Sequence, residues 1–337
     1  MIIAADIGGT KSACGYFDIR GGGVHPVMVK KYPSRNYSSL QKVTHQFIED
    51  IREAGHDDKI TAACFSLAGP VADGRCSLVN LEWQADLEQM NMDFPEIGRM
   101  TFINDLEASA SYVKHLSDAD IVRLCADREG SGRAGGNIAV IAPGTGLGEA
   151  FIAGDRVFPC EGGHTEFGPR SDEEMRLWQY LRNDFAHVSY ERVLAGEGLC
   201  RIYRFLMHES GIEETGEEIS PADVSTMAME GRDPLCIRAL EIYMSILGAE
   251  AGNMALKYLA YGGVYIGGGI APKILPALKG GAFAEGFRSK GRYGYITEKI
   301  PVWVIKNEDT ALYGSAVRAA QLAAHAADAE KTSSATD

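Results

Sequence analysis

Short apolar, β-branched runs recur along the chain, each closed by glycine or polar residues: Ile2 to Ala5, Ile60 to Leu67, Thr101 to Ile103, Ile138 to Ile141, Val264 to Ile266 and Val302 to Ile305. Runs of this kind predict buried strands. Helical periodicity lies between them. It is clearest at Leu40, Val43, Phe47, Ile48 and Ile51, whose spacings of three and four put all five on one face. Strands alternating with helices predict an α/β fold.

Two stretches resemble each other. "DIGGTKSACGYF" (6 to 17) and "PGTGLGEAFI" (143 to 152) both read as strand, Gly/Thr turn, strand, which points to two related halves. Turn-rich "DREGSGRAGG" (127 to 136) reads as a surface loop or boundary between strand-bearing regions. Beyond Ala324 the Ala, Lys, Ser and Thr residues lose apolar periodicity, and a tail without regular structure is expected over 325–337.

Charge narrows the partners. Lys and Arg number 33 against 46 Asp and Glu, and the net charge of −13 argues against general attraction to nucleic acid or anionic membranes. The seven cysteines are scattered and never spaced CxxC, so neither a disulfide framework nor a zinc cluster is expected, and a reducing cytoplasm is. No apolar run approaches the roughly 20 residues of a membrane span, and no secretory leader is expected before the first strand. A small-molecule substrate suits this balance.

Glycine-rich turns let backbone N–H groups converge on phosphate oxygens. Gly8, Gly9 and Thr10 form one candidate cradle and Gly144, Thr145 and Gly146 another, although each taken alone also reads as a hairpin turn. Asp6 stands directly before the first. A carboxylate there repels phosphate unless a cation intervenes, and Mg²⁺ held through water fits that place; the plainer reading is that Asp6 bonds the turn amides. Gly268, Gly269 and Ile270 follow a strand, where bare backbone suits a flat nucleoside or, equally, close packing of a helix on the sheet.

"TFINDLEASA" (101 to 110) puts Asn104 and Asp105 at the C-terminal end of a strand where a helix begins, the usual place for ligand-binding side chains in α/β sheets. Asp105 also reads as a helix N-cap. Glu161 and His164 flank a Gly-Gly turn, and Glu191 follows later; singly, these read as surface acids and a core histidine. Together, two carboxylates, an amide and an imidazole supply the donors and acceptors that a polyhydroxy sugar requires. With phosphate cradles added, γ-phosphoryl transfer to a hydroxyl covers the inventory, with Asp105 as the base.

The ordered series "DIGGT" (6 to 10), "AGPV" (68 to 71), "NLEW" (80 to 83), "INDLEA" (103 to 108), "PGTGLG" (143 to 148), "EGGHTEF" (161 to 167), "ERVLAGEGL" (191 to 199), "GGVYIGGGIAP" (262 to 272) and "YGSA" (313 to 316) resembles the bacterial ATP-dependent glucokinases of the proteobacterial type, within the hexokinase, Hsp70 and actin superfamily. The resemblance implies a two-domain actin-like ATPase (ribonuclease H-like) fold with an interdomain cleft. It implies a small α/β domain over 1–108 with 307–324, and a large one over 109–306. It implies glucose contacts from Asn104, Glu161, His164 and Glu191, with Asp105 taking the 6-hydroxyl proton. Asp6 would help place Mg²⁺, Gly8 to Thr10 and Gly144 to Gly146 would hold the phosphates of ATP, and Gly268 to Ile270 would flank adenosine. A cytoplasmic homodimer is implied as well. The remaining rivals are a kinase for mannose, fructose or an N-acetylhexosamine, and a sugar sensor without catalysis. No cysteine-rich motif follows His164, unlike the zinc-bearing relatives that include transcriptional repressors.

Overall fold

The computed structural model describes residues 1–78, 81–125, 135–213 and 218–334, and it divides into two compact units, Met1–Leu116 with Asp309–Asp337 and Ser117–Glu308. The first unit opens with β1 (Ile2–Ile7), β2 (Lys11–Arg20) and β3 (Gly23–Pro33), followed by α1 (Leu40–Glu53) and β4 (Ala62–Leu67). A small hairpin, β5 (Arg75–Ser77) and β6 (Gln84–Asp86), precedes α2 (Leu87–Asp93), β7 (Arg99–Asn104) and α3 (Asp105–Tyr112). The sheet order is β3-β2-β1-β4-β7. Within it β1 runs antiparallel to β2 and parallel to β4, and β4 runs parallel to β7.

In α1, Ser39 caps the N-terminus and all five periodic apolar residues are buried. They pack on one face of the sheet, against Ile3, Ala5 and Ile7.

The second unit holds β8 (Ile121–Cys125), β9 (Ile138–Pro143), β10 (Leu147–Ala153) and β11 (Arg156–Cys160). Then come α4 (Asp172–Leu181), α5 (Tyr190–Leu194), α6 (Gly196–Glu209), α7 (Pro221–Met229) and the long α8 (Pro234–Tyr258). It closes with β12 (Gly263–Ile266), α9 (Leu275–Leu278), α10 (Ala282–Arg288), α11 (Gly294–Thr297) and β13 (Val302–Ile305). The strand order is β11-β10-β9-β12-β13-β8. Its first five strands repeat the order and the directions of the other sheet, two antiparallel pairings followed by two parallel ones. Each copy therefore places a Gly/Thr turn after its central strand, Gly8–Thr10 after β1 and Gly144–Gly146 after β9. The core of this unit forms around α8, whose Cys236, Ala239, Tyr243, Leu247 and Ala255 are buried.

The last helix, α12 (Thr310–Ser334), belongs to the first unit. Leu312, Ala316 and Ala319 cover the second face of its sheet, against Ile2, Ala4, Ala62 and Cys64. The helix packs along α3, which keeps the chain in this unit as far as Leu116. Where a tail without regular structure is expected from residue 325, α12 continues to Ser334; alanine, the strongest helix former, carries it on without an apolar period. Residues 335–337, and 127–134 of the turn-rich loop, lie outside the described residues. Among the described residues no helix is long and apolar enough to cross a membrane.

Candidate active site

Alternation along β1 decides where Asp6 points. Ile3, Ala5 and Ile7 join the core beneath α1, whereas Ile2 and Ala4 join the one beneath α12, so a period of two sets Asp6 on the α12 face. It meets Ser66 of β4, whose hydroxyl donates to Asp6 Oδ1 at 3.1 Å. That bond replaces the expected one to the turn amides. Burial pushes the Asp6 carboxyl up to about 6; the charges of Asp105 and Asp309 push the same way, while the Ser66 bond and Lys11 oppose. A half-buried carboxylate under the like charge of two others suits a cation.

The turn beside it is fixed from below by one serine. Ser34 Oγ donates to Gly8 O at 2.7 Å and Ser34 N–H donates to Thr10 O at 3.0 Å. A Cβ at Gly8 would stand 3.1 Å from Lys11 O. Gly8, Gly9, Gly144 and Gly146 have no positive φ, so left-handed backbone does not call for glycine at these positions; at Gly8 and Gly146 close neighbours do.

At the end of β7 the cap of α3 is Asn104, not Asp105. Asn104 Oδ1 accepts from Leu106 N–H at 2.9 Å, and its Nδ2 donates to Gly69 O at 3.1 Å. Asp105 is thereby the first residue of the helix, with Oδ1 accepting from Leu106 N–H at 2.9 Å. Burial raises its carboxyl above the ordinary value, against hydrogen bonds that lower it.

In the second unit three predicted sugar ligands meet. His164 Nε2 lies 3.9 Å from Glu161 Oε2 and its Nδ1 lies 3.9 Å from Glu191 Oε1. His164 is 57% exposed and Glu161 81%, so neither is a core residue. A pairing of Glu166 with Ser189, and a bond from Tyr190 N–H to Thr165 O at 3.0 Å, carry the start of α5 to the 161–164 turn. Glu191 Oε2 also accepts from Leu147 N–H at 3.0 Å, and a Cβ at Gly146 would stand 2.7 Å from that oxygen.

The glycine turns of this unit converge. Gly144 N–H donates to Gly146 O and Gly196 N–H donates to Gly144 O, both at 2.8 Å. Gly268 has φ +79° and a Cβ there would be 2.4 Å from Pro143 O; a Cβ at Gly196 would be 3.8 Å from Ile270 Cδ1. Thr145 and Gly269 are exposed at the tips. Helix α6 starts at Gly196 with no side-chain cap, although Gly196 and Gly198 N–H are taken by Gly144 O and Ala195 O; a helix N-terminus of this kind favours phosphate. Gly196 and Ser66 were not singled out from sequence; the Gly-x-Gly inside "AGEGL" was the available signal for the former.

Residues 3–322 match the family model described as Glucokinase. The chain belongs to the glucokinase family. A glucokinase of Nostoc sp. is 36% identical over 347 residues, covering 96% of this chain and 99% of its own. That of Tolumonas auensis is 33% identical over 319 residues, covering 94% and 95%. The crystal structure of a glucokinase from an Antarctic psychrotroph superposes with a TM-score of 0.82 at 30% identity, covering 95% of this chain and 98% of that one. The fold is the actin-like ATPase fold of the sugar kinases, and the chain is an ATP-dependent hexose kinase with the reaction of glucokinases, phosphorylation of glucose.

Proposed function

We propose that Asp105 is the base of this glucokinase reaction. As a bond forms between the 6-oxygen of glucose and the γ-phosphorus of ATP, the bond from that phosphorus to the bridging oxygen breaks, ADP departs, and the hydroxyl proton passes to the Asp105 carboxylate. Asn104, Glu161, His164 and Glu191 hold the sugar hydroxyls. Gly8 to Thr10, Gly144 to Gly146 and the α6 N-terminus hold phosphate oxygens, and Gly268 to Ile270 flank the adenosine. Asp6 would hold Mg²⁺, which when bound would offset the charge of the transferring phosphate.

One observation carries the reading: half-buried Asp105 leads helix α3 with Asn104 taking over the cap, and its charge reaches a second half-buried carboxylate, Asp6. Burial raises the proton affinity of the Asp105 carboxyl above that of an ordinary aspartate, the direction that favours general-base catalysis. The test is Asp105→Asn. A coupled ADP assay should show kcat down by about 10²- to 10⁴-fold while calorimetry still detects glucose binding. Turnover within threefold of the wild type removes Asp105 from the role. The same assay with mannose, fructose and N-acetylglucosamine tests preference for glucose, and sedimentation tests the homodimer.

A further inference from the structure

Beneath the Gly162–Gly163 turn lies a buried polar chain that no catalytic step above uses. Glu149, on β10 opposite Cys160 of β11, is 1% exposed, and its Oε1 has no hydrogen-bond partner among the described residues. Its Oε2 sits where a Cβ at Gly162 would come within 1.9 Å, so the carboxyl is wedged directly under the backbone that joins Glu161 to His164. Glu250 of α8, fully buried, acts on it through its charge and is bonded to Lys257 Nζ at 3.3 Å and to Asn253 Nδ2 at 2.8 Å. Asn253 Nδ2 also donates to Tyr190 Oη at 3.1 Å, and Tyr190 immediately precedes Glu191. Glu149 thus underlies the 161–164 turn, while the Glu250–Asn253 pair is bonded to the residue before Glu191.

We propose that Glu149 is a positioning residue for sugar binding: its carboxyl, acting through Gly162, sets the place of Glu161 and His164 against Glu191. This rests on the reading that those three contact glucose. The remaining groups around it are Tyr258 of α8, Cys160, whose Sγ donates to Glu149 O at 3.4 Å, and Lys290, which donates to Ala249 O and Asn253 Oδ1 at 2.7 Å each. Arg170 and Glu174 lie near Lys290. Burial, and then the Glu250 charge, push the Glu149 carboxyl up to about 8 against the pull of Lys257, so at neutral pH it carries a proton. Ionisation above that value sets a second buried negative charge beside Glu250 and strains the turn above it.

The experiment measures KM for glucose and for ATP, and kcat, from pH 6.5 to 9.5. In the wild type the KM for glucose should climb severalfold above about pH 8, with the ATP KM steady. Glu149→Gln, which keeps the shape but cannot ionise, should abolish the climb. Glu149→Ala, which leaves a void under Gly162, should raise the glucose KM fivefold or more at every pH with kcat changed less than twofold. An alkaline climb that persists in E149Q overturns the role of Glu149, and that variant decides the matter even if E149A fails to fold. Glu191→Ala tests the underlying assignment separately: an unchanged glucose KM there overturns the sugar-binding reading, and this inference with it.

Discussion

Gly314 of α12 lets the last helix lie on α3 with backbone against backbone. A Cβ built there falls 1.7 Å from Ala108 O and 2.6 Å from Ala108 C. Carbonyl and peptide atoms cannot rotate aside, so in Gly314→Ala the two helices must part by roughly 1.5 Å before the contact becomes ordinary. Overpacking of this kind costs about 1–3 kcal/mol, here at the upper end because the neighbour is main chain. Alanine returns at most about 1 kcal/mol through helix propensity. A net loss of about 2 kcal/mol should lower the melting temperature by roughly 4–8 °C. Because Asp105 begins α3 three residues before Ala108, kcat should fall with it, while the cluster of Glu161, His164 and Glu191, in the other unit, keeps its geometry. Scanning calorimetry and steady-state kinetics test both parts. A melting temperature within 1 °C of the wild type, with unchanged kcat, would show slack between the helices and refute the reasoning.

Gly268→Ala should raise the KM for ATP severalfold, since φ +79° and an approach of 2.4 Å to Pro143 O both resist a side chain; an unchanged ATP KM would separate this turn from the nucleotide. Stability should also depend on pH through Glu149. Its folded-state value of about 8 exceeds the ordinary 4.5, so the folded protein keeps a proton that the unfolded chain has released between those limits. The contribution to stability is therefore fullest below pH 4.5 and is lost as pH rises towards 8. Urea unfolding of Glu149→Gln against the wild type should show the advantage of the variant growing by a few kcal/mol between pH 5 and 9. A difference constant with pH would mean that Glu149 is ionised throughout.

The central strands were legible because helices cover both their faces and leave continuous apolar runs, as in β1, β4, β9 and β12. Edge strands were not. In β3, Val27 and Val29 face solvent, and the alternation that would reveal a strand is blurred. Helix α8 also escaped notice, since burial nearly all round erases the period of an amphipathic helix. Among site residues, Asp6 and Asp105 could be read from their place beside a turn and at a strand end. The meeting of His164 with Glu191 could not, because it depends on the pairing of Glu166 with Ser189. Glu149 looks like the polar member of an alternating strand, and only the tertiary packing shows it to be enclosed.

The first sheet is sealed by the two ends of the chain, with Ile2 and Ala4 at one and Leu312, Ala316 and Ala319 at the other. During synthesis the ribosome must therefore make the whole of the second unit before the half that carries Asp105 can close. Until α12 emerges, one side of that sheet stands bare, a ready target for chaperones. A chain arrested short of Thr310 would hold a finished cluster of Glu161, His164 and Glu191 and an unfinished sheet beside Asp105.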